Sequence, residues 1–590
     1  MRRPLLAAAL AGALLSLAPA AAAVPRLYSP NYGSEAVGAF DLGDGTAPTP
    51  VLGSPFPATS SPALGGLIAM AFAPDGARGV SGYLFDGGAQ GLAVAGDGSL
   101  APVGLGLETP SVVSVAVSPD GRFAYTTTRD FLGEAAVGIV GYSLGGDGAL
   151  SGLAGSPFGA GVHYDVAITP DSRFLFATTG LGVARYAIGS DGSLAAVGPP
   201  VAVPGAYRLT VDPESRYLYV GLDNGSGSGV QPLTIGADGS LVPVGVPALT
   251  GDVAPSFPSV SPDGGHVYMP DTNVDGIVTA RVGPDGALAV IGTTPVEDPE
   301  SLAPTPDGRY MYIDTGGAIE VAAIGADGVP SLLGSSTPWD SGSTPPRMVL
   351  QPQPAPVAAV SATPAAAGAA TRFDAAGSQR AARYDWDFGD GAAAANAGPA
   401  PEHVYPAAGE YTARVTVTDA NGCSARQIYT GQSTVCPGGA AATATVAVRV
   451  AGPPPPRPRI RSLRLSPKRF AAAPRRKGAK RKAKRGSRVV YGVSANARVR
   501  FLVERRLVGR SVAGKCRPVN RRNQGRRPCV RFKRVGSFAR SAGAGRNAFR
   551  FRGRIGKRRL PAGRYRLTAT ARNAGGTSAP RRAAFRIVRG

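Results

Sequence analysis

Along the first 350 residues, short apolar runs are stopped by turn residues at regular intervals. AFAPDG, AVSPDG, AITPDS, TVDPES, SVSPDG and APTPDG each end an apolar run in a turn led by Pro74, Pro119, Pro170, Pro213, Pro262 and Pro306. A degenerate seventh phrase, VLQPQ, places Pro352 one step further, for a mean spacing of about 46 residues. An aromatic-rich strand follows the turn, as in Arg309-Tyr310-Met311-Tyr312-Ile313, and then a third strand. Asp-Gly pairs beginning at Asp44, Asp97, Asp147, Asp191, Asp238, Asp285 and Asp327 lead into the fourth. Asp-Gly tolerates the positive φ of a tight hairpin, so its recurrence has a structural cause. Four short antiparallel strands per repeat predict a propeller blade, and seven repeats predict seven blades. The first strand, Arg26-Leu27-Tyr28, matches a blade's second strand. Arg347-Met348-Val349-Leu350 is therefore expected to supply the missing innermost strand and close a ring over residues 24–353.

The pattern changes after Pro352. Residues 355–451 are flanked by Pro-rich segments and contain Tyr384-Asp385-Trp386-Asp387-Phe388-Gly389-Asp390-Gly391, then His403-Val404-Tyr405 and Gly409-Glu410-Tyr411, then the alternating strand Thr412 to Asp419. This segment resembles the PKD domain, an immunoglobulin-like sandwich, with Trp386, Phe388 and Tyr411 expected in its core. That resemblance implies spacing and adhesion rather than catalysis. The run of acids around Phe388 lacks the distal bidentate Glu of a calcium loop, so no metal is expected. Residues Asn421 to Gly438 exceed the usual turn at this point, and Cys423 and Cys436 are placed to clamp them.

Beyond Pro453–Pro456 the chain becomes basic. Residues 452–487 read as a Pro-rich and polybasic linker with one strand, Ile460 to Phe470, and the run Lys480, Arg481, Lys482, Lys484 and Arg485. Residues 488–590 carry strand patterns at Arg488–Val493, Val499–Val503, Phe549–Phe551, Tyr565–Ala571 and Ala584–Val588. The close, LPAGRYRLTATARNAGGTSAP, resembles bacterial Ig-like domains, with Leu560, Tyr565 and Leu567 as core. Cys516 and Cys529 bracket a loop holding Arg521, Arg522, Arg526 and Arg527. The whole chain is thus expected to be all-β: a propeller followed by two Ig-like sandwiches. The 82 Gly and 54 Pro, about a quarter of the chain against ~12% in average usage, agree, because both penalise helix interiors.

Charge divides the molecule. Residues 451–590 hold 44 of the 63 Lys/Arg and one of the 39 acids, Glu504, for a net +43; residues 1–450 carry −19. The N-terminus, Met1-Arg2-Arg3 followed by an apolar run to Ala18, Pro19 and Ala20–Ala23, reads as a secretory signal peptide cut after Ala23. Export permits disulfides, and the cysteines fall as two local pairs without the close C-x-x-C spacing of a zinc site. No membrane span is expected, and the location expected is extracellular or cell-surface associated. The +43 segment is expected to meet anionic cell-wall polymer, polysaccharide or lipid headgroups. Nucleic acid is disfavoured in the cell, because aromatics do not interleave with the basic runs.

The propeller phrases resemble the YVTN-type seven-bladed family that includes the bacterial 6-phosphogluconolactonase-like lactonases, over residues 26–353. Where those lactonases carry a histidine-bearing loop, this chain has Gly161-Val162-His163-Tyr164. Their Pro-Arg-His run is replaced by Gly205-Ala206-Tyr207-Arg208, and their glutamate by Gly221-Leu222-Asp223-Asn224. His163, Arg208 and Asp223 are thus the weak candidates for catalysis, and no cofactor is expected. The function expected is envelope-associated binding: the propeller meets an unknown protein or carbohydrate, the PKD domain acts as spacer, and the basic domain anchors. A lactonase-like hydrolase and a self-assembling extracellular scaffold, its acidic ring meeting a neighbour's basic tail, are the alternatives.

Overall fold

The computed structural model describes residues 25–589 apart from 62–63, 86, 130–136, 224–227, 249–256, 273, 343–346, 431–432, 453–454 and 474–484. The expected signal peptide lies outside the described residues. The regular structure described is β-strand, with one turn of 3-10 helix at Ala440–Ala442. No helix among these residues is long and apolar enough to cross a membrane. The chain divides into two compact units, which are treated separately below; the second is built mainly from residues 449–590.

The repeats form seven antiparallel sheets among the described residues, each a blade. The third runs from Val112–Val117 innermost through Phe123–Thr128 and Ile139–Leu144 to Leu150–Gly152 outermost. Its inner strands are buried on both sides, hence their continuous Val, Ala, Tyr and Thr. The turn acids act locally. Asp120 accepts from Ser118 Oγ and from the Arg122 amide, while Asp97, Asp147 and Asp191 each accept from the amide two residues on. Tyrosines of the second strands tie one blade to the next: Tyr28 donates to Gly98 O at 2.8 Å, Tyr125 to Gly192 O at 2.8 Å, and Tyr312 to Gly43 O at 3.1 Å. A buried bond of this kind contributes about 1 kcal/mol, and a ring repeats it.

Closure follows the expected route. Val349–Leu350 pairs with Arg26–Pro30 in register Leu27↔Leu350 and Tyr28↔Val349, so the first blade is completed by the last strand of the ring.

In the PKD segment, Ser361–Thr363 pairs with Ala370–Asp374, and Arg383–Asp387 with Gly409–Thr418. Phe373, Trp386 and Phe388 make its aromatic core, with Phe373 centred 5.3 Å from each of the other two. Tyr411, expected to be buried, is only half-buried: it is in phase with the inward Ala413 and Val415 but lies at the rim of the sheet.

The excursion after Asp419 carries part of the PKD segment to the propeller. Cys423 and Cys436 are joined, with Cα atoms 5.4 Å apart, and the hairpin Ile428–Tyr429/Thr434–Cys436 is driven into the propeller's axis. Tyr429 is fully buried among Ala167, Leu209 and Val211 of the innermost strands, while Ile428 and Val435 pack with Leu27, Met348 and Leu350. Among the described residues a void of about 30 Å³ lies beside Thr430 and Ser433, room for a single water. The hairpin enters from the side bearing the Pro-Asp-Gly turns. There Arg426 meets Glu214 at 3.2 Å, and a Cβ on Gly422, whose φ is +89°, would lie 2.8 Å from the Asp307 backbone. The hairpin thus occupies the axis on that side, and the opposite end, where the inner strands begin, is the mouth.

The second unit contains a sandwich. One sheet is Ile460–Ser466, Ser487–Val493 and Gly545–Phe551; the other includes Arg469–Ala471, Arg581–Val588, Gly563–Asn573, Ala497–Val512 and Pro528–Ala542. Its core holds Leu463, Phe470, Tyr491, Phe501, Leu560, Tyr565, Leu567 and Phe585. The segment read as linker therefore contributes two strands, Ile460–Ser466 and Arg469–Ala471, and the sandwich begins at Ile460 rather than at residue 488.

Replacing Cys423 and Cys436 together by Ser should lower the unfolding free energy by ~3 kcal/mol in the chain-entropy picture and open Arg426 to trypsin under native conditions. Unchanged Tm and unchanged resistance at Arg426 would show that packing alone holds the hairpin.

Candidate binding sites

At the mouth, beside the starts of the innermost strands, arginines and aromatic rings form a continuous arc. Arg129 lies 5.9 Å from the Tyr164 ring, Tyr164 is 5.3 Å from Tyr207, and Arg208 is 4.5 Å from Tyr207. Arg208 and Arg347 then meet the same ring, Phe257, at 4.3 and 4.6 Å. Such contacts hold a cation by the negative face of the ring without neutralising it.

Beneath the arc lies one carboxylate, Asp165, fully buried. It accepts from Ser114 Oγ at 2.6 Å and from the amides of Leu209 at 2.9 Å and Val166 at 3.0 Å, so it ties three innermost strands together. Burial pushes the Arg347 guanidinium down to about 10; Asp165 opposes that shift and Arg208 adds to it. Its Nη2 is buried without a hydrogen-bond partner. Arg347 is delivered here by the strand that closes the ring, and the Tyr429 hydroxyl, from the hairpin, lies within electrostatic reach of both Arg347 and Asp165.

The three residues singled out for catalysis do not converge. His163 is 3% exposed, and its Nδ1 lies 3.1 Å from the Gly161 carbonyl, which can only accept, so Nδ1 carries the hydrogen. Burial lowers its pKa. Arg208 belongs to the arc. Asp223 is exposed at the end of its strand, its amide donating to Gly205 O at 2.7 Å, and among the described residues no contact joins its carboxylate to Arg208 or His163. The mouth can hold an anion and present rings to it; among the described residues the carboxylate beneath it, Asp165, is taken up by Ser114 and two backbone amides, and no contact joins it to His163. No cluster of three His, Cys, Asp or Glu suited to a metal occurs among the described residues.

The second candidate surface is on the sandwich. Cys516 and Cys529 are bonded, with Cα atoms 5.9 Å apart, and staple the end of a long hairpin arm. Arg521, Arg522, Arg526 and Arg527 are all exposed there, on a loop shaped by Asn520 and Asn523. Arg485 is half-buried, drawn into the sandwich by a bridge to Ala471, whereas Lys480, Arg481, Lys482 and Lys484 lie outside the described residues.

Sequence reasoning looked for cations in loops and missed those in strands. Val499, Phe501 and Val503 point inward with Tyr565, Leu567 and Phe585, which turns Arg498, Arg500, Arg506, Arg564, Arg566, Arg582 and Arg586 outward. The signal was present as arginines spaced two apart, in Arg498-Val499-Arg500 and Arg564-Tyr565-Arg566.

Residues 352–433 match the PKD domain family. No curated protein matches this chain. Among solved structures, a Bacteroides uniformis protein provisionally named a 6-phosphogluconolactonase is 20% identical, over 56% of this chain and 99% of its own, with a TM-score of 0.47. The periplasmic gluconolactonase of Pseudomonas aeruginosa is 19% identical over 56% and 99%, with a TM-score of 0.44. Virginiamycin B lyase from Staphylococcus aureus is 13% identical over 49% and 89%, with a TM-score of 0.35.

Acid should destabilise the ring through His163. Its folded pKa lies below the ordinary value of 6.5, so below pH 6.5 the unfolded chain binds the extra proton and stability falls as pH falls. His163→Asn should flatten the loss of Tm between pH 6.5 and 5, and an unchanged slope would contradict the burial argument.

Proposed function

We propose that this chain is an exported binding protein retained electrostatically at an anionic cell envelope. In this reading the basic sandwich is the retaining element, and the propeller mouth captures an anionic ligand. The observation that carries it is the charge of the sandwich. Its one acid, Glu504, is already engaged by Arg566 at 2.8 Å and Thr568 at 3.3 Å, so 43 of the 44 cationic side chains are left with no other side-chain carboxylate from residue 451 onward. Such a surface binds whatever polyanion it meets. The two disulfides and the PKD domain suit an oxidising, extracellular setting.

The propeller's share rests on Arg208 and Arg347 around Phe257, with the PKD hairpin as the floor beneath. That pair of cations also favours a second reading, hydrolysis of an anionic lactone, since guanidinium groups stabilise a developing oxyanion. Against it stand the buried, carbonyl-bonded His163 and the outlying Asp223. Lactone turnover by the intact protein is expected to equal background; turnover abolished by His163→Ala would favour the hydrolase.

Retention is tested by fractionating cells that express the full chain or a form ending at residue 452. The full chain should sediment with the envelope at low salt and be released by about 0.5 M salt, where charges are screened within a few ångströms. The shortened form should appear in the medium. Equal amounts of both forms in the medium would refute electrostatic retention.

A further inference from the structure

The outward arginines of the sandwich are arranged in register. Arg469 on Arg469–Ala471 stands opposite Arg586 on Arg581–Val588, and Arg586 stands opposite Arg564 on Gly563–Asn573. Three arginines thus face one another across three adjacent strands, at the sheet spacing of roughly 5 Å. Like charges placed directly opposite destabilise a sheet, and here no carboxylate intervenes. Arg566, itself bridged to Glu504 at 2.8 Å, and Arg582 continue the array along the strands, Arg506 borders it, and together with Lys468 these side chains line an open groove of about 690 Å³.

We propose that this groove is the contact site for a linear phosphate-bearing polymer. The inference deepens, and rests on, the reading of the sandwich as the retaining domain. Six of the seven cations are arginines, whose planar fork meets a phosphate with two parallel hydrogen bonds. They are spread over four strands, further than one small anion reaches, so a chain that carries a charge every few ångströms fits better. The rings offer nothing to a nucleobase. Tyr565 and Phe585 are 2% and 4% exposed and stack on each other at 5.3 Å, and the Phe532 ring is covered by the Arg566 guanidinium at 3.6 Å. Base stacking, the usual contribution of aromatics to single-strand binding, is therefore absent from the groove. A phosphate chain along the facing arginines relieves the repulsion that the sheet otherwise carries.

The test uses the full-length protein and inorganic polyphosphate as probe. Arg564→Gln with Arg586→Gln removes two facing charges; Arg521→Gln with Arg522→Gln removes the same net charge from the arm loop. The groove variant should keep or raise its Tm without polyphosphate, because a repulsion is lost, and should bind polyphosphate about tenfold more weakly. The arm variant should lose less than about threefold. If both variants weaken equally, or the arm variant weakens more, net charge rather than the groove decides, and the site is wrong while retention stands. If the wild-type protein does not bind polyphosphate at low salt, the reading of the retaining domain falls as well. Single-stranded DNA that displaces polyphosphate more effectively per phosphate would assign the groove to nucleic acid and overturn the proposal, as would binding confined to anionic lipid vesicles.

Discussion

The N-terminal ring depends on two residues. Val349 and Leu350 add the innermost strand to a blade whose other strands lie some 290 to 325 residues earlier, and without them Leu27 and Tyr28 would expose one edge. The same strand carries Arg347 to the mouth, beside Arg208, and then passes the chain on to the PKD segment. That segment returns its disulfide-clamped hairpin to the axis, where Tyr429 and Ile428 fill the space the inner strands leave. Closure, delivery of the mouth cation and filling of the channel are therefore consecutive consequences of one piece of chain.

The sandwich meets a different constraint. Its strands must bury one face, and they do so with Val499, Phe501, Val503, Tyr565, Leu567 and Phe585. Period-two alternation then turns the residues between them to the opposite face, and arginine occupies most of those positions. Arginine is tolerated in strands, but a lattice of it with one engaged acid is an unbalanced field. Hydrophobic burial fixes the backbone, and the backbone fixes the spacing of the charges. The surface is rigid where a disordered basic tail would be adaptable.

Much of the propeller was legible in the chain because its determinants are local. Pro-Asp-Gly turns and Asp-Gly hairpins state where strands end, and the phase of Arg26-Leu27-Tyr28 states which strand is missing. The two cysteine pairs were legible for the same reason. The hairpin's destination was not, since Tyr429 meets Ala167 and Leu209 through contacts some 220 to 260 residues distant in the chain and nothing in Asn421–Gly438 encodes them locally. Position in a fold also misled. Ile460–Ser466 reads as a strand in a linker until Ser487–Val493 pairs with it, and Tyr411 reads as core until the sheet ends beneath it. At the mouth, Arg208 was found by its place in a repeat, whereas Phe257 lies in a segment without a motif and Arg347 was read only as part of the closing strand. The strand arginines were overlooked because the loop clusters are denser, although a period of two was there to be read.

The account turns on the claim that ordered cations of the sandwich engage a polyanion. Its most direct test is the affinity of the intact protein for polyphosphate across a series of salt concentrations. With about six cations engaged and ~0.7–0.9 counterions released for each, the logarithm of the affinity should fall linearly with the logarithm of salt, with a slope of about −5. A slope near zero, or affinity that persists unchanged at 1 M salt, would contradict it.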